Sequence, residues 1–212
     1  MGYHRAGWDV VGVDIEPQPH YPFEFHQGDA LAWLGDPFGS GRWQAGFDAI
    51  HASPPCQDYS AAMRHISGDY PRLIEPTREL LIETGLPWII ENVPGAPLPT
   101  SMTLDGRFGV ELCGSMFGLR VRRHRLFETS FPIGAPRSCD HRQPAMNPHN
   151  QDARDRMYVE YGRGDPELVW RAEMRVEWMS RYEAREAIPP AYTEHVGAVL
   201  LSHLRSTVHS TG

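Results

Sequence analysis

Three short apolar runs, each stopped by an acid or by proline, limit what this chain can fold into more than any other feature. Val10-Val11-Gly12-Val13 runs into Asp14, and Phe47-Asp48-Ala49-Ile50-His51-Ala52 is cut off by Ser53-Pro54-Pro55. Pro87-Trp88-Ile89-Ile90-Glu91-Asn92-Val93 ends at Pro94-Gly95. Short apolar runs bounded by turn formers read as buried strands. Between them lie a turn and short helix at 28–34 and a helical repeat at 77–84, with Ile74, Leu80 and Leu81 on one face. Alternating strand and helix predicts an α/β fold with a doubly wound, mostly parallel sheet. Ligands of such sheets sit outside the carboxyl ends of the strands. The polar side chains expected at that edge are Asp14, Asp29, Cys56 and Glu91.

The rest of the chain is less regular. Residues 126–129 read as one more strand, and 132–166, rich in Pro, Gly, Arg, His and Asn, as loops. Helical spacing returns at 167–182, a proline-led helix follows to 204, and the polar tail 205–212 is expected to fray. At 212 residues and 41% hydrophobic, the chain suits one domain with a small appendage. No apolar run reaches the ~18 residues of a membrane span. The first eight residues, MGYHRAGW, lack the apolar core of a secretory signal. Cys56, Cys113 and Cys139 are odd in number and widely spaced, which argues against a disulfide framework and for a reducing cytoplasm.

The net charge of −7 is uneven. Residues 1–121 carry 7 Arg against 15 acids, and residues 122–212 carry 13 Arg against 12. All the basic residues are Arg, a bias that fits GC-rich coding. The most basic window is 122–142, with five Arg against Glu128 and Asp140. An acidic total does not exclude nucleic acid, because affinity depends on charge near the phosphates.

Three motifs carry chemistry. Cys56 follows a strand on a proline-stiffened loop and precedes Gln57-Asp58, which suits an exposed nucleophilic thiolate better than a buried small hydrophobe. Glu91 ends an apolar strand, where a carboxylate must be paired or protonated, or cap the next turn. In Arg122-Arg123-His124-Arg125, strand periodicity would put Arg123 and Arg125 on one face, either as edge protection or aimed at phosphate or at the acid.

Taken together, PPCQ at 54–57, ENV at 91–93 and RRHR at 122–125 resemble the C5-specific DNA cytosine methyltransferases in order and approximate spacing. AGWDVVGVDIEP at 6–17 is similar to the segment after that family's cofactor glycine loop, GDA at 28–30 to its adenine-binding turn, and REAIPPAYTEHVG at 185–197 to its closing segment. The resemblance covers residues 2 to about 128 and about 180–200. It implies a Rossmann-like, S-adenosylmethionine-dependent methyltransferase core at 1–128, a short DNA-recognition region at 129–179 and a segment returning to the core at 180–204. It implies that Cys56 attacks C6 of a flipped cytosine, that Glu91 holds the ring, and that Arg125, with Arg123 as second candidate, orients it. Asp14 with Ile15 (Glu16 as substitute acid), Asp29 with Ala30, and Pro54 would line the cofactor site. Arg122, Arg137 and Arg142 would meet DNA, with Arg154 and Arg156 as further phosphate candidates.

The implied setting is a monomer acting on double-stranded DNA in the cytoplasm of a bacterial or phage-infected cell, with a cognate restriction endonuclease as partner. The alternatives are a non-catalytic DNA-binding remnant and another pyrimidine C5 modification. The chain departs from the family in three places. It starts after the family's first strand and glycine loop, which are central to the sheet, so a longer natural chain is expected. Val121 stands where the family often has Gln, and 129–179 is short. No metal is needed in this chemistry. Cys139-x-His141, with Cys113 and His149 at a distance, fits no zinc spacing and reads as ordinary loop.

Overall fold

The computed structural model describes residues 1–35, 46–59, 71–142 and 167–210. In chain order the strands are β1 (Val11–Asp14), β2 (Glu24–Gln27), β3 (Ile50–Ala52), β4 (Trp88–Asn92), β5 (Phe108–Leu112) and β6 (Arg125–Thr129). The helices are α1 (Gly2–Arg5), α2 (Ala30–Leu34), α3 (Ile74–Glu83), α4 (Glu167–Met174), α5 (Arg181–Glu186) and α6 (Pro190–Ser210). They fall into two compact units: residues 1–10, 112–124 and 135–212 in one, and 11–111 with 125–134 in the other.

The second unit holds the strands. They form a two-stranded sheet, β1-β2, and a four-stranded sheet in the order β3-β4-β6-β5. The pairs β1–β2 and β3–β4 are parallel, and β4–β6 is antiparallel. The α/β expectation is met; the larger sheet is mixed, so "mostly parallel" describes only part of it. β1 and β3, each at a sheet edge, are only half-buried, whereas every residue of β4 and β6 is buried. Among the described residues no strand joins the two sheets.

Alternation along β4 and β6 sorts the side chains. Trp88, Ile90 and Leu126 meet Ile74 and Leu81 of α3 in one apolar core. Glu128, opposite Ile90, points to the same side and is fully buried. It accepts two hydrogen bonds from Arg78 of α3, at 2.9 and 2.8 Å, and one from Arg107 at 2.5 Å. α3 begins at Ile74, earlier than the expected residue 77, because Pro76 is tolerated in a first turn. Its buried stripe is Ile74, Thr77, Arg78 and Leu81, so an arginine occupies a core position that apolar spacing did not mark.

The first unit is helical. α6 buries Tyr192, Val196 and Leu200, one face at helical spacing. α1 packs on α6 so closely that a Cβ on Gly2 would lie 2.1 Å from the Pro190 carbonyl oxygen. The expected helical stretch 167–182 is two helices, divided where Arg175 takes φ 59° and restarted by the Ser180–Glu183 capping box. α6 runs to Ser210, so the tail expected to fray from 205 continues the helix. β2 and β5 were not expected: β2 is short, polar and half-exposed, and β5 contains Gly109, whose Cβ would strike the Pro99 carbonyl oxygen at 2.1 Å.

Candidate active site

Antiparallel pairing builds the centre of the site. Glu91 on β4 stands opposite Phe127 on β6, so Arg125, two residues earlier on β6, shares its face of the sheet. Arg125 Nε lies 3.1 Å from Glu91 Oε1, and both side chains are more than nine-tenths buried. His51, opposite Ile89 on β3, lies on the same side and meets the Phe127 ring edge-on at 6.3 Å between centroids. Its Nε2 is 3.0 Å from Ser53 Oγ, and burial pushes its pKa down to about 4.

Cys56 sits on the loop leaving β3, half-buried and outside any disulfide. Parallel pairing of β3 with β4 puts this loop and the Glu91 end of β4 at the same sheet edge. The two are tied directly. The Asn92 side-chain amide donates to the Pro54 carbonyl over 2.8 Å, while its oxygen accepts from Val93 N at 2.9 Å. Tyr59 N donates to the Cys56 carbonyl and closes a turn. A Cβ on Gly95 would meet the Tyr59 carbonyl oxygen at 2.2 Å, so only glycine lets the turn after β4 approach so closely. Gln57 Oε1, beside Cys56, is buried with no hydrogen-bond partner among the described residues. The motif residues named Glu91 but not the tether through Asn92 or the close approach at Gly95; the sequence marks neither, because both depend on the pairing of β3 with β4.

The acids expected at a cofactor lie at the ends of β1 and β2. Asp14 accepts from Glu16 N at 2.9 Å and from Gln18 Nε2 at 3.2 Å. Ile15 beside it is 65% exposed, and its carbonyl accepts from Gln27. Asp29 caps α2, one carboxylate oxygen taking Leu31 N at 2.9 Å and Ala32 N at 3.4 Å. Ala30 opens that helix on the exposed side, and Pro54 is half-buried. Gly28 N donates to the Asp14 carbonyl at 2.8 Å, which holds the two acids' strand ends together.

The arginines divide. β6 starts only at Arg125, so residues 122–124 lie outside a strand, yet burial alternates as expected: Arg123 and Arg125 are buried, Arg122 and His124 half-buried. Arg123 is buried in the helical unit, where its guanidinium donates to the Arg185 carbonyl and its own carbonyl accepts from Tyr192 Oη. Arg122 Nη2 donates to the His141 carbonyl at 2.9 Å, and Arg137 Nε to the Met116 carbonyl at 2.5 Å. Arg142 is 91% exposed and paired with Asp140 at 2.6 Å. Arg154, Arg156 and His149 lie outside the described residues. Cys113, His124, Cys139 and His141 come together in the helical unit, an assembly the sequence spacing did not predict.

No family model and no curated protein matches this chain. Among solved structures it is similar to a prophage-encoded protein of E. coli described as a DNA modification methyltransferase, at 21% identity and TM-score 0.42, over 60% of this chain and 41% of that one. It is also similar to a triple mutant of Spodoptera frugiperda DNMT2, at 22% identity and TM-score 0.41, over 60% of this chain and 46% of that one. The chain spans less than half the length of either. At that level of likeness the functional reading rests on the site's own residues. No described helix is long and apolar enough to cross a membrane.

Proposed function

We propose that this chain methylates C5 of cytosine in double-stranded DNA. The observation that carries the reading is the buried Glu91–Arg125 pair at the end of β4, beside a cysteine loop tethered to the same strand through Asn92 and Pro54. A buried carboxylate held by a guanidinium is weak as a source of stability; what favours a chemical use here is its place at the strand end beside the cysteine loop, a place Glu128 lacks.

The nucleoside half of S-adenosylmethionine fits the donor set at the ends of β1 and β2: acids at 14 and 29 suit ribose hydroxyls and an adenine amine. Among the described residues no glycine-rich cradle faces the methionine half. When bound, the cofactor supplies an electrophilic methyl group on a sulfonium.

The chain's own residues do the remainder. The Cys56 thiolate adds to C6 of a cytosine turned out of the duplex, and the electron pair moves to C5. Glu91 accepts from the exocyclic amine and passes a proton to N3 as charge develops on the ring, and Arg125 fixes its carboxyl group in that direction. Gln57 Oε1 offers a buried acceptor that a donor on the base would satisfy. After C5 takes the methyl group, its proton leaves to a solvent base and the thiolate is expelled, which regenerates Cys56. Arg122, Arg137 and Arg142 contribute positive charge toward phosphates, Arg137 and Arg142 as the exposed ones.

Duplex DNA incubated with the protein and methyl-labelled cofactor should yield 5-methylcytosine, and Cys56→Ser should remove that product while DNA binding persists. Labelled product at another base, or full activity in Cys56→Ser, overturns the reading. The separation of β1-β2 from the larger sheet favours a second one, DNA binding without turnover, which the same assay identifies as binding with no labelled product.

A further inference from the structure

We infer that Cys113, His124, Cys139 and His141 form a structural zinc site, independent of the methyl-transfer reading. Their four ligand atoms all lie within 4.8 Å of one another. Cys139 Sγ is 2.9 Å from His141 Nε2 and 3.5 Å from His124 Nε2, and Cys113 Sγ is 3.3 Å from His141 Nε2. With Zn–S about 2.3 Å and Zn–N about 2.0 Å, tetrahedral ligands lie about 3.3–3.8 Å apart, so the side chains are already grouped at the scale a zinc ion imposes. The two imidazole rings stand nearly perpendicular, at 86° with centroids 4.9 Å apart, as ligands from different corners do.

The backbone explains why residues so distant in sequence meet. Cys113 precedes a 3-10 turn, Gly114–Phe117, closed by Gly118 at φ 71°. A Cβ on Gly114 would lie 2.2 Å from the Val121 carbonyl oxygen, so the chain doubles back tightly toward His124. Cys139 and His141 come from the following loop, held by Arg122 on the His141 carbonyl and Arg137 on the Met116 carbonyl.

Two further observations favour a metal over a chance cluster. Residues 134–142 are exposed throughout and have no helix or strand, so apolar packing does not hold them in place. A cross-link is how such small, coreless segments are fixed. Ser115 Oγ also lies 3.5 Å from Cys113 Sγ and 3.3 Å from Cys139 Sγ, while Asp140 N donates to that oxygen at 3.1 Å. With a lone pair so occupied, the hydroxyl proton is directed to sulfur, the support that metal thiolates receive. Two sulfurs and two imidazoles select zinc over hard cations, and four protein ligands leave no position for catalysis. The ion would join the Cys113 turn, the residue before β6 and the 135–142 loop.

The full chain, purified from zinc-replete medium without chelator, should carry one zinc per chain by elemental analysis. Cobalt(II) exchanged for it should give thiolate charge-transfer bands and the visible spectrum of a tetrahedral site. Cys139→Ser and His141→Ala, both at exposed positions, should lose at least nine-tenths of the metal in their monodisperse folded fraction, and Cys56→Ser should keep it. Should a variant not fold, the cobalt spectrum of the unmodified chain decides. Metal-free protein whose cobalt spectrum lacks thiolate bands, a Cys113–Cys139 disulfide in its place, or full zinc content in folded Cys139→Ser overturns the proposal.

Discussion

Arg125 reaches across from the start of β6 to within 3.1 Å of the Glu91 carboxylate at the end of β4, and both are buried. This pairing separates two substitutions. Glu91→Gln keeps the shape but cannot pass a proton to N3, so turnover should fall by roughly 10²–10³, the loss typical when one preorganised group that stabilises developing charge is removed. Folding should suffer less. Arg125→Ala instead strands a buried carboxylate, and a broken buried pair costs about 3–5 kcal/mol. Urea midpoints measured beside single-turnover rates distinguish the two; equal loss of stability in both would refute an active role for Glu91.

Asn92 holds the cysteine loop by one neutral hydrogen bond to Pro54. Such a bond contributes about 1 kcal/mol, so Asn92→Ala should raise the loop's opening equilibrium about fivefold. Asn92→Asp should loosen it more, because a carboxylate would face the Pro54 carbonyl. The rate of Cys56 alkylation, followed by mass spectrometry of the modified peptide, reads this directly. Unchanged rates in both variants would show that the tether does not control the thiol.

Glu128 is enclosed between Arg78 and Arg107, and Arg78 also meets Glu75. Arg78 is 7% exposed at its side chain and Arg107 27%, so Arg78→Ala should destabilise more than Arg107→Ala. The first is expected to cost about 3–5 kcal/mol, since it leaves a buried charge with a weaker partner. Denaturant titration of the two variants tests the order.

What the sequence made legible follows from how local each signal is. β1, β3, β4 and β6 announce themselves by apolar runs, and the strand ends at Asp14, Cys56 and Glu91 follow from those; Asp29 follows instead from the turn before α2. β2 and β5 do not, because Glu24–Gln27 is polar and Phe108–Leu112 contains a glycine fixed by Pro99. Arg125 and Arg123 looked equivalent by spacing, yet only Arg125 lies on a strand; Arg123 is committed to the Arg185 carbonyl in another unit. The Cys/His cluster is only partly legible: Cys113, Cys139 and His141 stand out as residue types but read as ordinary loop, and His124 is missed. Its ligands come from three places along the chain, and only the tight turn at Gly114 and Gly118 brings the first two together.

Arg142 is the most exposed of the arginines assigned to DNA, although Asp140 offsets its charge. A phosphate contact made by one cation adds about one unit to the slope of log affinity against log salt. Arg142→Ala should therefore lower that slope by at most about one, uniformly across DNA sequences. Fluorescence anisotropy over a salt series measures it. An unchanged slope would place Arg142 outside the contact surface.

His51 gives the protein a predictable acid sensitivity. In the unfolded chain its imidazole titrates near 6.5, and in the folded chain burial pushes it down to about 4. Between those values the unfolded state binds more protons, so stability falls as the pH is lowered from about 7 toward about 4. Below the folded value both states are protonated, and this contribution is fully lost. His51→Gln removes the titrating group and keeps a polar side chain near Ser53, so the melting temperature should decline less between pH 7 and 5 than in the unmodified protein. Calorimetry at the two pH values measures the difference; an identical decline in both proteins would mean that His51 is solvated enough in the folded state to protonate freely.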